Sequence, residues 1–276
     1  MSLDLTLYTA PKVPLEADVL SPGRLAGLTA LEAGKLAVVH GNQRAELGEF
    51  FRVSGSPNGE IHLTGDLSRV KQIGAGMAGG RMLVHGRVGM HLGAGMTGGE
   101  IVIEGDAGDW VGPEMAGGRI VIKGDAGHLV GSVLRGSHAG MLGGEIIVFG
   151  NAGNEVGSGM RRGLIAIGGD CGDFTGVNML AGTVVVLGHL GWRTGAGMKR
   201  GTIVSMHPSE MLPTFSYACT YRPVFLRLYL ARLRRLGLPI TDSQTDGLYQ
   251  RWCGDAIELN RGEVLLLDTG ETSRPR

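Results

Sequence analysis

Glu100–Gly118 reads EIVIEGDAGDWVGPEMAGG, and this stretch decides the fold because the chain keeps repeating it. A short apolar run is followed by a glycine-flanked bend, a second apolar stretch and a glycine-rich corner. Stepping outward gives units that begin at Glu60, Arg81, Glu100, Arg119, Glu145, Leu164, Thr183 and Thr202. Their steps are 21, 19, 19, 26, 19, 19 and 19 residues. The 26-residue unit becomes regular when Ser132–His138 is removed, and the 21-residue unit carries two extra residues within Leu67–Gln72. A fixed period of this length is the signature of a solenoid.

Each unit holds three short extended pieces joined by sharp turns. A pair of helices is excluded by the glycines, each of which costs a helix interior ~1 kcal/mol. Glycine fills 50 of the 276 positions, where about 7% is ordinary, and it supplies the positive φ that tight corners need. The expected fold is mainly β, a right-handed parallel β-helix whose coils sit ~4.8 Å apart.

Columns support that expectation. Met77, Met96, Met115, Met141, Met160, Met179 and Met198 occupy one position of successive units. Val88, Ala107, Ala126, Ala152, Cys171 and Leu190 fill a second, and Leu92, Val111, Val130, Val156, Thr175 and Thr194 a third. Apolar residues recurring at one position form an interior ladder, and methionine is a flexible filler for it. The middle residue of each main strand should face outward. After His62 that column reads Leu83, Val102, Val121, Ile147, Ala166, Val185 and Val204. Strands that read as continuous apolar runs are covered on both faces, so either the chain's tail or another protein must lie there.

The ends differ from the repeat, as capping segments do. Residues 1–58 are expected to form a small α/β cap. Leu3, Leu5 and Leu7 alternate like a strand, Ser21-Pro22 with Leu25, Leu28 and Leu31 reads as a short capped helix, and Lys35–His40 and Phe50–Val53 read as extended. Residues 59–206 hold the repeats. In residues 207–276 the repeat stops after Met206, and Pro223–Leu236 shows a helical stripe at Leu226, Tyr229, Leu230, Leu233 and Leu236. This helix is a candidate cover for the apolar sheet face. Glu263–Asp268 reads as extended, and the polar tail beyond it is expected to be disordered.

Charge is balanced at 26 basic against 26 acidic residues, so no global field draws the chain to nucleic acid or anionic membrane. No run approaches the ~20 apolar residues of a membrane span, and Met1–Leu5 lacks the basic start of a signal peptide. Three cysteines, Cys171, Cys219 and Cys253, are odd in number, which suits a reducing cytoplasm.

Each candidate site competes with a plainer explanation. The repeated GxGMxGG string resembles a phosphate loop but lacks a following helix with Lys-Ser/Thr, so it reads as a structural corner. Asp106, Asp125, Asn151 and Asp170 share a column beside Arg87 and His189; stacked carboxylates can invite a cation, but Asp and Asn also make turns, the preferred reading. The eight histidines show no metal-ligand spacing, and no catalytic or metal-binding residue is assigned. Cys171 sits in the interior small-residue column, while Cys219 and Cys253 lack a His partner pattern. His91, Trp110, Leu129, Glu155, Phe174 and Arg193 share an outward column, where His91, Trp110, Phe174 and Arg193 are candidate partner contacts and solvent exposure is the alternative. The insert Ser132–His138 is the preferred local functional feature, since inserts emerge on one face of a solenoid. The Arg-rich helix, with Arg227, Arg232, Arg234 and Arg235, suits an acidic partner or polyanion, or is simply a solvated face.

The whole chain resembles the C subunit of formylmethanofuran dehydrogenase. The resemblance rests on the GxGMxGG units, on Val38-Val39-His40-Gly41-Asn42 with Leu47-Gly48-Glu49-Phe50-Phe51, and on Pro213-Thr214-Phe215 leading to Tyr221-Arg222-Pro223-Val224-Phe225. It is similar also to the homologous C subunit of the bacterial formyltransferase/hydrolase complex, which an excess of 21 Arg over 5 Lys favours through its GC-rich coding bias. The repeats alone resemble the C-terminal domain of the glutamate synthase large subunit. The resemblance implies a non-catalytic scaffold in a complex that moves a formyl group from tetrahydromethanopterin to a methanofuran-type carrier and releases formate. It implies a formyltransferase subunit (D), an amidohydrolase-like subunit (A) holding a metal, and a B subunit as partners, with no cofactor held tightly by this chain. Arg135, Arg227, Arg234 and Arg235 are candidates to steer the carrier's anionic glutamyl tail. Alternatives are the C subunit of a molybdenum or tungsten dehydrogenase, a glutamate synthase-like subunit with flavin and iron–sulfur partners, and an autonomous β-helix enzyme. The last needs a polar groove that these turn-forming columns do not supply.

Overall fold

A computed structural model describes residues 2–56 and 59–270; the expected disorder of the polar tail concerns mostly residues outside that range. The N-terminal segment contributes β1 (Leu3–Leu7), β2 (Leu15–Glu16), α1 (Pro22–Leu25), α2 (Ala30–Gly34), β3 (Ala37–His40), β4 (Gln43–Glu46) and β5 (Phe51–Gly55). The repeats contribute β6 (Glu60–Thr64), β7 (Val70–Lys71), β8 (Arg81–His85), β9 (Glu100–Ile103), β10 (Arg119–Ile122), β11 (Glu145–Val148), β12 (Leu164–Ile167), β13 (Thr183–Val186) and β14 (Thr202–Ser205). The tail adds β15 (Ser216–Tyr221), α3 (Leu226–Arg235), α4 (Asp242–Asp246), β16 (Tyr249–Gly254) and β17 (Gly262–Leu267).

The protein is mainly β, with few helices, and is dominated by one large sheet in the order β15-β16-β17-β14-β13-β12-β11-β10-β9-β8-β6-β1-β5. Within this sheet, from β6 through β8 to β14, the strands pair in parallel, each residue with its counterpart one unit later. Ile101 thus faces Ile120, then Ile146, Ile165, Val184 and Ile203. A second parallel ladder of single bridges runs from Leu67 through Val88, Ala107, Ala126, Ala152 and Cys171 to Leu190. The seven methionines of the repeat column are at most 1% exposed.

Strands from both end segments join the sheet of the repeats. The first parallel partner of β6 is β1, with Leu3 opposite Ile61, and the strand after β14 is β17, with Ile203 opposite Val264. The parallel ladder therefore continues past the last repeat: the chain leaves after β14, makes an excursion of helix and strand, and returns to extend the same sheet. Leu3–Leu7, by its alternation, and Glu263–Asp268 both read as extended; their parallel partners lie far away in sequence. Antiparallel strands then finish each end, β5 against β1 and β16–β15 against β17.

Two irregular units have different causes. The extra residues within Leu67–Gln72 form β7, which pairs in parallel with β2 and ties a small sheet, β4-β3-β2-β7, to the first repeat. Ser132–His138 is a protrusion closed at its base by the Met141 N–H donating to the Gly131 carbonyl (2.9 Å). The expected helix after Ser21 is broken in two at Gly27, whose φ is +77°; the second piece is capped by the Thr29 hydroxyl and Glu32 carboxylate.

The outer column is buried by the chain itself from Val121 onward. Ile147, Ala166, Val185 and Val204 are fully buried beneath Leu226, Leu230 and Leu233 of α3, whereas His62, Leu83 and Val102 stay half-exposed. The helix is shorter than the expected Pro223–Leu236 but presents the expected stripe, with Tyr229 and Leu236 packed beside the three leucines. Burying each of these leucines stabilises by about 2 kcal/mol.

Asp255, 2% exposed, fastens the turn between β16 and β17 to the last methionine corner. Its carboxylate accepts from the N–H groups of Gly197 (3.0 Å) and Ile257 (3.2 Å). Burial opposes the charge, but these donors outweigh it and hold the carboxyl below its usual range. A folded pKa below the unfolded ~3.9 gives stability that is present above that value and lost as pH falls through the folded one. Asp255→Ala is therefore expected to cost about 2–3 kcal/mol at neutral pH. Urea titrations should show the gap from wild type closing as pH falls below about 4; a pH-independent gap would contradict the ion's role.

Candidate functional site

The polar columns that suggested chemistry serve the backbone. The Asp106 carboxylate accepts the N–H of Asp125 (3.0 Å), Asp125 that of Asn151 (2.7 Å), Asn151 that of Asp170 (2.9 Å) and Asp170 that of His189 (2.7 Å). A parallel series runs from Asp109 to His128, Asn154, Asp173 and Trp192, with bonds of 2.8–3.0 Å. Turn chemistry thus operates between units, each side chain satisfying the next unit's backbone, not its own. Among the described residues no group of three or more His, Cys, Asp or Glu is placed to hold a metal ion.

The column of His91, Trp110, Leu129, Glu155, Phe174 and Arg193 lies at a left-handed corner, every member having φ between 54° and 66°. That conformation is costly for side chains other than glycine. Repetition of the corner in six successive units shows that stacking against neighbours outweighs the cost. His91 stacks on Trp110 (ring centroids 5.4 Å apart) and the Arg193 guanidinium lies 5.3 Å from the Phe174 ring. Trp110 and Phe174 are half-buried, and the largest exposed aromatic is instead their neighbour Trp192, 77% exposed, on a cleft of ≈ 430 Å³ with Arg193 and Pro208–Pro213. Burial and nearby Lys71 lower the pKa of His91, favouring the neutral ring.

In the insert, Ser132 is buried and donates to the Glu155 carbonyl (2.7 Å), while Arg135–His138 are exposed. On α3 most of the arginines have partners: Arg227 pairs with Asp246 (3.0 Å), Arg232 with Glu145 (2.7 Å) and Arg234 with Asp242 (2.9 Å). Arg135 and Arg235 are the more open of the four candidates for an anionic tail. The strand starts, Glu60, Arg81, Glu100, Arg119 and Glu145, form a ladder of ion pairs at 3.0–3.5 Å that ends on Arg232. Alternating charge at one repeat position was its signal in the sequence.

Burial pushes the Cys171 thiol up to about 12, so it has no nucleophilic thiolate near neutral pH. Cys219 is exposed and Cys253 intermediate. A maleimide at pH 8 should label Cys219 rapidly and Cys171 only after denaturation; rapid native labelling at Cys171 would refute the packing assignment.

No family model matches the chain. It is 45% identical over 83 residues to the C subunit of molybdenum-containing formylmethanofuran dehydrogenase 1 of Methanothermobacter thermautotrophicus, a match covering 29% of this chain and 21% of that protein. It is 36% identical over 89 residues to the C subunit of the formyltransferase/hydrolase complex Fhc of Methylorubrum extorquens, covering 32% and 34% of the two chains. These matches span about a fifth to a third of the curated relatives' length. A chain in the crystal structure of the formyltransferase/hydrolase complex (FhcABCD) from Methylorubrum extorquens, in complex with methylofuran, aligns over 96% of this chain and 99% of its own, with 34% identity and a TM-score of 0.90. Fold and surfaces define a repeat protein with a mainly parallel sheet, whose polar columns support its own backbone. The chain belongs to the C-subunit family of formyltransferase/hydrolase complexes and formylmethanofuran dehydrogenases.

Proposed function

We propose that this chain is a non-catalytic structural subunit of a cytoplasmic formyltransferase/hydrolase complex. In this reading the complex moves a formyl group from tetrahydromethanopterin to a methanofuran-type carrier and releases formate, in one-carbon oxidation. Formyl transfer belongs to a D subunit and hydrolysis to a metal-holding, amidohydrolase-like A subunit, with a B subunit completing the assembly. The observation that carries the reading is the match along nearly the whole chain to one member of the FhcABCD complex. The spending of the Asp/Asn columns on backbone N–H groups adds to it.

The chain itself winds as a right-handed parallel β-helix between caps at residues 1–58 and 207–276. Support comes from two parallel ladders offset by whole units and from the methionine column buried between them. His91, Trp110, Phe174 and Arg193, with exposed Trp192, are the proposed partner-contact corner, and Arg135 and Arg235 the guanidiniums that steer an anionic carrier tail.

Affinity purification of the tagged chain from its native source tests the assignment. Recovery with formyltransferase and amidohydrolase-like subunits, free of a molybdenum or tungsten pterin, is the expected result. Recovery with such a pterin would move the chain to the dehydrogenase branch, and recovery as a lone monodisperse protein would overturn the scaffold role.

A further inference from the structure

One corner of the repeat changes character toward the C-terminal end. The two positions after the column methionine read Ala78-Gly79, Thr97-Gly98 and Ala116-Gly117 in early units. In later units they become Leu142-Gly143, Arg161-Arg162, Leu180-Ala181 and Lys199-Arg200. Successive members of this corner are neighbours in space, because the Arg161 N–H donates to the Met141 carbonyl, Leu180 to Met160 and Lys199 to Met179. Arg261, just before β17, lines the same cleft, whose volume is ≈ 570 Å³.

Five cations, Arg161, Arg162, Lys199, Arg200 and Arg261, therefore share one cleft with a single carboxylate, Glu258. Among the described residues its one ion pair is the loose contact of Lys199 with Glu258 at 3.9 Å. The chain as a whole carries no net charge, so this concentration is not the average surface. Many other arginines are neutralised within the chain, as in the strand-start ladder and on α3. Apolar side chains border the cations: Ile257 is 77% exposed, Leu259 69% and Leu142 40%. A purely anionic small ligand would gain nothing from them, whereas a protein segment buries both kinds of surface, with apolar contact for affinity and opposite charge for steering.

We propose that this cleft docks an acidic segment of a partner subunit, one that carries carboxylates beside apolar side chains. The proposal rests on the scaffold reading, since it needs a partner, and it adds which face of the chain is used and what chemistry meets it.

Zero-length carbodiimide cross-linking of the native assembly, purified through the tagged chain, tests it, with linked peptides identified by mass. Lys199 is expected to join an Asp or Glu of another subunit. Replacing Arg161, Arg162 and Arg200 together by Glu should lower retention of that subunit about tenfold at ~0.15 M salt. An intact assembly in which Lys199 links only within this chain, as to Glu258, and in which the triple variant assembles like wild type, would overturn the docking site and leave the scaffold reading standing. A link from Lys199 to a glutamyl-bearing small molecule would overturn the protein-segment occupant in favour of a polycarboxylate. Absence of any assembly from the wild-type preparation would remove both readings. The wild-type cross-link needs no variant, so misfolding of the triple variant does not protect the proposal.

Discussion

Gly118→Ala is expected to destabilise the chain by about 4 kcal/mol, and Gly136→Ala by only ~1 kcal/mol. The two glycines share the same backbone strain, with φ of +84° and +87°. Their surroundings differ. A Cβ on Gly118 would lie 2.7 Å from the Met96 methyl, 2.8 Å from the Gly98 carbonyl carbon and 2.8 Å from the Gly99 oxygen, whereas one on Gly136 meets nothing within 4 Å. A left-handed non-glycine residue costs roughly 1–2 kcal/mol, which both variants incur. Only Gly118 adds a clash with the backbone of the preceding unit, which cannot rotate away as a side chain can. Moving that backbone would disturb the parallel pairing of β9 and β10, adding typically 1–3 kcal/mol for an overpacked site. Urea midpoints of the two variants against wild type decide the matter. Equal shifts would mean that the glycines serve only positive φ and that close approach between units is not what the repeat requires.

The repeat was legible because each position recurs with one task. Met77 and its successors could be placed inside without knowing a single contact, and the parallel register follows from the unit length. What was not legible depends on pairing across long sequence separations. Nothing in Leu3–Leu7 shows that it extends the ladder beside Ile61, or in Gly262–Leu267 that it lies beside Thr202–Ser205. The two extra residues within Leu67–Gln72 were visible as an irregularity, but their partner, Leu15–Glu16, was not. Side-chain roles were legible only as types. Asp106 and Asp125 were recognisable as turn residues, yet that each caps the next unit's backbone depends on a spacing that only the fold sets. Arg162 and Arg200 interrupt a glycine column at different units and Arg161 stands in the small-residue column beside it, and only stacking brings the three to one cleft with Arg261.

Leu230→Ala combined with Leu233→Ala is expected to cost about 6 kcal/mol and to leave a chain that binds hydrophobic dyes and aggregates. Both leucines are fully buried against the outer column of the sheet, with Ile147, Val185 and Val204 beneath the same helix. Large-to-small changes at such sites cost about 2–5 kcal/mol each, and neighbours in one cluster couple, so the sum is not strictly additive. Leu228→Ala on the same helix, at a side chain 76% exposed, should stay within about 0.5 kcal/mol and controls for helix propensity. The ion pair between Arg232 and Glu145 at 2.7 Å also ties α3 to the sheet. Arg232 is half-exposed, however, and exposed pairs contribute at most about 1 kcal/mol. Arg232→Ala should therefore shift the urea midpoint far less than the leucine pair. The two kinds of variant separate the candidate causes of attachment. A large loss at the leucines with a small one at Arg232 means that the sheet holds the helix by its apolar face. The reverse order would mean that the charge ladder orients the helix and that the outer column tolerates exposure, leaving it available to another subunit.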